Sequence, residues 1–398
     1  ILVISSANVS DEITSIVNDL VLKGIVTQDD VDERLKVMKE NGVVDDIITM
    51  VFKQYRKYSE PAKRPHTVYV DPYWKNGKPS MLNAALIDAL MGILMIFQGD
   101  KSVGKNVCAE TVAWLLNKPV AVFTFGPDLT SDEIYGVKTT ETPDIMKYSL
   151  TEIEDMAKAE IDVMRALLSS TRIGTNWQEL VLDETIEKAA KFSSLKAKAP
   201  AVSIKDEVTA IIKCISEGWV LVANELNLGR EDIVTQFINP LGDGTGHIIA
   251  LGKKVPINEG FVFIGTQNVG DTYFGTKELN EAAASRIDRL IFNYHETIFP
   301  QLKSALVGYS INDKILEAVD NVYQTSKKLS EENPTMPSSA PISNKCLNVR
   351  GYVRALKTWA TFPNATTLKD KIITNVVNNC DDDDKPQLET VLDKFIKW

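Results

Sequence analysis

The chain of 398 residues carries a net charge of −10, with 25% charged and 44% hydrophobic residues, the composition of a soluble globular protein too long for one ordinary core. That acidic balance argues against a broad nucleic-acid-binding face, which needs clustered Lys and Arg, and no run approaches the roughly eighteen apolar residues of a membrane helix. Cys108, Cys214, Cys346 and Cys380 lie far apart without CxxC spacing, which points to reduced thiols in a reducing, cytoplasmic compartment and away from structural zinc.

The chain opens on Ile1, so the lack of a leader sequence carries no weight. Residues 1–64 read as an N-terminal helical module and linker. Ile13, Ile16, Val17 and Leu20 recur at helical spacing, Val31, Leu35 and Met38 follow Thr27-Gln28-Asp29-Asp30, and Gly42 separates these from Ile47, Ile48, Val51 and Phe52. The stretch "SEPAKRPHTVYVDPYW" has the Pro and charge content of a linker leading into a short β-rich segment.

Residues 65–298 read as the large α/β domain. A helix over Met81–Met91 precedes "GILMIFQ", an apolar run of buried-strand type. The glycine loop "QGDKSVGKN", a helix from Lys105 to Leu116 and a strand from Pro119 to Phe125 follow. About 140–200 reads as a helical insertion, opened by the capping-box sequence Ser149-Leu150-Thr151-Glu152. Strand and helix then alternate: helix Ile204–Ser216, strand "WVLVA", helix Glu231–Pro240 and strand "FVFIGT". Such alternation predicts a parallel sheet with helices on both faces. Between the last two strands, His247–Leu251 and Lys254–Ile257 flank Gly252-Lys253 as a hairpin. Residues 299–398 show only helical periodicity and read as a C-terminal helical domain, and "DDDDK" (381–385) reads as a solvated charge run.

The chemistry collects at strand ends. A glycine loop between a buried strand and a helix offers backbone N–H groups and the positive helix end to a polyphosphate. Gly99, Asp100, Lys101, Ser102, Val103, Gly104, Lys105, Asn106 and Val107 form that candidate loop, with Lys105 as the charge for the β and γ phosphates. "VLVANELNLG" delivers Asn224 and Glu225 at a strand end, where an acidic pair would hold a magnesium shell and polarise water. A lone Glu there also suits a helix cap. "FVFIGTQN" ends in Asn268, able to orient water or to serve only as a turn residue. "KELNEAAASRIDRLIFNY" reads as a helix ending in Arg286 and Arg289.

In this order the pieces resemble the AAA+ ATPases, most closely the MoxR-like and dynein-related group. "LVANELNLG" is similar to that group's "LLDEINLA", "TQN" recurs, "ELNEAAASRID" resembles "LPEALLDRF", and "LNVRGYVRALK" resembles the lid helix. The likeness spans roughly Lys78 to Tyr294 apart from the insertion, and the C-terminal helices more loosely. It implies a P-loop NTPase sheet sandwiched by helices, with ATP and Mg²⁺ as cofactors. It also implies Lys105 as the phosphate lysine, Glu225 as the catalytic base, Asn268 as a γ-phosphate sensor, and Arg350 as the lid arginine. Arg286, with Arg289 as second candidate, becomes the arginine finger given to a neighbouring subunit, so a homo-oligomeric, hexameric ring acting on a protein client is expected.

Two positions depart from the pattern. Asn106 stands where a Ser or Thr binds Mg²⁺, and Asn224 stands where an Asp holds the metal's water shell. Magnesium favours oxygen ligands and uses few protein groups, so neutral amides here weaken its hold while leaving phosphate contacts intact. The expectation is an ATPase of ordinary or reduced rate, with a hydrolysis-impaired nucleotide switch or structural ring subunit as the alternative. A nucleic-acid motor using Lys253 and Lys254 ranks last.

Overall fold

The computed structural model describes residues 6–71, 80–141, 203–268, 281–331 and 341–397. Three helices open the chain: α1 (Ser6–Leu22), α2 (Gln28–Glu40) and α3 (Asp45–Lys53). The Thr27 hydroxyl caps α2 by accepting from the Asp30 N–H, satisfying one of the donors a helix start leaves over. No strand forms in the described part of the linker. Helix α4 (Met81–Met91), capped by Ser80 and ended by Gly92 in a left-handed conformation, leads into strand β1 (Leu94–Gly99). Helix α5 (Lys105–Leu115), strand β2 (Val120–Thr124) and short helix α6 (Ser131–Tyr135) follow.

After strands β3 (Val137–Glu141) and β4 (Ser203–Glu207) come helix α7 (Ala210–Glu217), strand β5 (Val220–Asn224) and helix α8 (Glu231–Gly242). The chain continues through β6 (His247–Ala250), β7 (Lys253–Pro256), β8 (Val262–Gln267), α9 (Glu281–Ala284) and β9 (Ile287–Phe292). Among the described residues, five helices close it: α10 (Phe299–Ala305), α11 (Asp313–Ser330), α12 (Val349–Thr361), α13 (Leu368–Asn375) and α14 (Lys385–Phe395).

Five strands form one parallel sheet in the order β2-β5-β8-β1-β9. Strands covered on both faces are apolar along their whole length, and Leu94–Phe97, Val220–Ala223 and all of β8 are buried. On one face Met95, Phe97, Val222 and Ile264 share a continuous core with α4, α5 and the opening helices, through Ile13, Val17, Val31, Met38, Val51 and Phe52. The Tyr55 hydroxyl donates to the Leu115 carbonyl at 2.5 Å. Arg34, buried, stacks its guanidinium 5.4 Å from the Tyr55 ring and 5.5 Å from the Trp114 ring. Across the sheet, Phe237 of α8 packs its ring against those of Phe125 and Phe263.

The C-terminal helices bury a core of their own, including Leu302, Val319, Tyr323, Tyr352, Leu356, Ile372 and Leu392. Gly351 lets α12 and α13 meet closely, since a Cβ there would stand 2.7 Å from the Asn375 carbonyl oxygen. Residues 6–134 and 209–397 form one compact unit and residues 135–208 a second. The described part of the second is an antiparallel ribbon in which Val137 faces Glu207 and Glu141 faces Ser203.

Several sequence expectations change. The helix expected from Ile204 begins only at Ala210, and residues 204–207 belong to strand β4. The helix expected to end in Arg286 and Arg289 stops at Ala284, and Arg289 lies on edge strand β9, opposite Ile96. Phe292 must reach the core beneath β1, and an extended chain carries it there. "DDDDK" is partly tethered: Asp381 pairs with Lys345, and an Asp384 carboxylate oxygen accepts from the Ser343 N–H. From residue 142 to 202, the expected insertion and its capping box lie outside the described residues. Among the described residues no helix is long and apolar enough to cross a membrane, and all four cysteines are free and buried.

Candidate nucleotide site

In an open parallel sheet, ligands settle beyond the carboxyl ends of the strands, where successive connections leave in opposite directions. Here the chain leaves β1 for the far edge strand β2, while β9 returns on β1's other side. The carboxyl ends of β1, β5 and β8 therefore bring Gly99, Asn224 and Gln267 to one rim, with Glu225 and Asn268 directly after.

The loop after β1 is shaped by its glycines. A Cβ on Gly99 would stand 2.1 Å from the Phe292 carbonyl oxygen, so only glycine lets the loop leave beside β9. Gly104 (φ 95°) is the N-cap of α5, and a Cβ there would press on the Tyr69 ring at 3.3 Å. No side chain caps α5 and its first turn holds no acid, which suits a helix start that receives an anion. Ser102 adopts a left-handed φ of 68°. Val103 is buried, Val107 packs on the core, and Asp100, Ser102 and Asn106 are half-buried beside exposed Lys101.

Lys105 is 7% exposed, and its ammonium donates to the Gly99 carbonyl at 2.7 Å, the Asp100 carbonyl at 2.6 Å and Asn268 Oδ1 at 3.0 Å. Burial pulls its pKa down to about 8; Arg350 and Lys101 push the same way, against Asp100 and Glu225. Arg350 and Glu225 thus act on this ammonium electrostatically, and Asn348, two residues before Arg350, accepts from the Ser102 hydroxyl of the loop. Glu225 sits in the left-handed region, φ 53° and ψ 41°, an uncommon place for a residue with a side chain and one where strain collects at working sites. Its N–H donates to Thr266 Oγ1 at 3.3 Å, and that hydroxyl donates to Asn224 Oδ1 at 3.2 Å. The structure thus gathers Lys105, Asn224, Glu225, Asn268 and Arg350. Arg286 is held instead at the end of α8, its Nε 2.6 Å from Asp243 Oδ1.

Three residues near this rim are not among those the sequence singles out as candidates. Asn227, buried, donates its amide N–H to the Asn268 carbonyl at 3.0 Å and so braces the chain beyond β8. His295 lies buried with its pKa lowered to about 4 by burial, and its ring hydrogen-bonds the Val103 backbone. Asn348 accepts from the Ser102 hydroxyl. Polar residues at strand ends are the readable signal nearby, and they select Asn224, Glu225 and Asn268.

The donor set can be weighed against the expected cofactors. A loop in which a Cβ at Gly99 is excluded, an uncapped helix start and a buried ammonium fit a polyphosphate. The two positions expected to meet magnesium, Asn106 and Asn224, offer only neutral amides, and the Asn224 oxygen already accepts from Thr266, a poor match for a hard cation. Among the described residues no group of three or more His, Cys, Asp or Glu side chains is placed to hold a metal.

The sheet order, the loop after β1 and the polar strand ends define an α/β P-loop NTPase domain of the AAA+ type. Residues 94–287 match the family model for the AAA domain of the dynein-related subfamily, and this stretch of the chain is a domain of that family. No curated protein matches. A solved structure of a presumptive ATPase from Cytophaga hutchinsonii ATCC 33406 aligns over 94% of this chain and 98% of its own, at 12% identity and a TM-score of 0.37. At that score the alignment adds nothing to the assignment.

Proposed function

We propose that the domain binds ATP at Gly99–Val107 and hydrolyses it slowly within a ring of identical chains, using the cycle to remodel a protein partner. The observation that carries this is the Lys105 ammonium, which joins the phosphate loop to Asn268 while Glu225 and Arg350 lie within electrostatic reach. A phosphate entering the loop would replace carbonyl oxygens as the ammonium's partner, a stronger charge-assisted contact.

Glu225 would take the proton from the attacking water, and Asn268 would orient that water toward the γ phosphorus as ADP leaves. Arg350 would register the γ phosphate. Asn106 and Asn224 would hold a magnesium ion through amide oxygens alone, and the ion would supply positive charge to offset the negative charge developing on the phosphates. Arg286 would act in the neighbouring chain's site, where an arginine in trans is worth about 10³ to 10⁵ in rate.

The two amides favour a second reading, a nucleotide switch that binds ATP without turning it over. Phosphate release by the assembled full chain separates the two. Release that disappears in Lys105→Ala and Glu225→Gln supports the ATPase; ATP binding without release at millimolar Mg-ATP supports the switch.

A further inference from the structure

One side-chain oxygen joins the phosphate loop to the C-terminal helices. Asn348 Oδ1 accepts from the Ser102 hydroxyl at 2.8 Å and from the Gly351 N–H at 3.3 Å. The second bond caps α12, since Asn348 is its N-cap residue and such oxygens take up a free N–H of the first turn. The first bond crosses 246 residues of chain. An amide oxygen has two lone pairs, so cap and loop contact coexist on one atom.

Ser102 needs a reason beyond local geometry. Its left-handed φ of 68° is where glycine sits without steric cost and serine does not. What serine adds is the hydroxyl, and the hydroxyl is spent on Asn348. Arg350 follows in the first turn of the helix this oxygen caps, so its base moves with the loop.

We propose that Asn348 is a positioning residue that docks the start of α12 on the phosphate loop, so that a nucleotide seated in the loop sets where Arg350 stands. This rests on the nucleotide reading above. The consequence is discrimination: a triphosphate meets an arginine already aimed at its terminal phosphate, whereas a diphosphate gains less. The influence of Arg350 on the Lys105 pKa agrees with that placement.

The test measures affinities of the full chain for ADP and for a non-hydrolysable ATP analogue by calorimetry. Ser102→Ala removes the contact from the loop side. Asn348→Ser removes it from the helix side while keeping a good cap, and Asn348→Asp keeps an acceptor for both donors. One net hydrogen bond implies that either deletion weakens the analogue about three- to tenfold more than ADP. The double variant should lose no more than either single one, and Asn348→Asp should preserve the wild-type preference. Equal loss for both nucleotides, or losses that add in the double variant, would overturn the proposal. Wild-type protein that binds neither nucleotide sinks the nucleotide reading itself, whereas wild-type binding with an unaltered preference in Ser102→Ala sinks only the link.

Discussion

Arg286 Nε lies 2.6 Å from Asp243 Oδ1, and it reaches that position across Gly242, where a Cβ would stand 2.7 to 3.0 Å from three carbons of the arginine side chain. The pair joins the chain before β9 to Asp243, the C-cap residue just after α8. Both partners are partly exposed, so the ion pair itself is worth at most about 1 kcal/mol. Its effect is placement: it holds a half-buried guanidinium at one fixed point of the domain surface.

If Arg286 serves the neighbouring chain, Arg286→Ala should cut turnover about 10³-fold or more while leaving ATP affinity of the separate chain intact. A mixing experiment makes the assignment sharper. Arg286→Ala keeps an intact catalytic rim and Glu225→Gln keeps an intact finger, so mixing the two inactive proteins should restore part of the phosphate release. No recovery at any ratio would remove Arg286 from a role in trans.

Lys105 gives a pH signature. Its pKa is lowered to about 8, by burial first and with Arg350 adding to the effect, and a phosphate is attracted by the ammonium and not by the neutral amine. Affinity should therefore be flat well below pH 8 and fall as pH rises through about 8, by up to tenfold per unit. Lys105→Arg, charged throughout, should flatten the profile even where it weakens binding. Calorimetric titration of ATP from about pH 6.5 to 9.5 reads both.

Asp88 supplies a stability signature of the opposite kind. Its carboxyl is raised to about 6, mainly by burial and then by Asp288, and its Oδ2 is buried without a hydrogen-bond partner among the described residues. A raised carboxylate pKa means that the folded state holds the proton more tightly than the unfolded chain does. Its contribution is thus complete below about pH 4 and lost as pH rises through about 6. Asp88→Asn should raise the melting temperature above pH 6 and change little at pH 4. A gain equal at both pH values would show packing and not charge as the cause.

Two glycines separate backbone need from steric need. Gly92 has φ 68° with open space around it, while at Gly99 a methyl carbon would stand 2.1 Å from the Phe292 carbonyl oxygen. Gly92→Ala should cost about 1 kcal/mol, the left-handed penalty alone. Gly99→Ala forces β1 and β9 apart and should cost several-fold more, in the range of about 3 kcal/mol or above. Urea unfolding of both variants makes the comparison, and similar costs would contradict it.

What the sequence discloses follows from where the physics is local. Strands β1, β5 and β8 announce themselves because a strand buried on both faces is apolar along its length, and the loop and hairpin announce themselves through glycine. Strand β9 does not: "IDRLIF" follows an alanine-rich turn of helix, and what fixes it as extended is Phe292 packing beneath β1, a strand far away along the chain. Strand β4, "SIKDE", has no apolar alternation and takes its form from pairing with β3. The candidate site shows the same division. Lys105, Glu225 and Asn268 are legible from a glycine loop and strand ends, whereas Asn227, His295 and Asn348 act through contacts that no spacing records.

The two positions proposed to meet magnesium allow the strongest test of how this rim works. Asn106 and Asn224 are both half-buried, and Asn224 Oδ1 is occupied by the Thr266 hydroxyl. An aspartate at 224 could still accept that hydroxyl on one oxygen and leave its second for a metal-bound water; a threonine at 106 adds a hydroxyl ligand at the first turn of α5. Asn106→Thr with Asn224→Asp should therefore raise magnesium-dependent turnover about tenfold or more, while ATP affinity without magnesium stays level or falls slightly from the added negative charge. The single variants should each give less than the pair. Turnover measured against magnesium concentration decides the matter: a shift to lower magnesium with a higher plateau would show that the two amides limit the use of the metal, and an unchanged curve would sink that account.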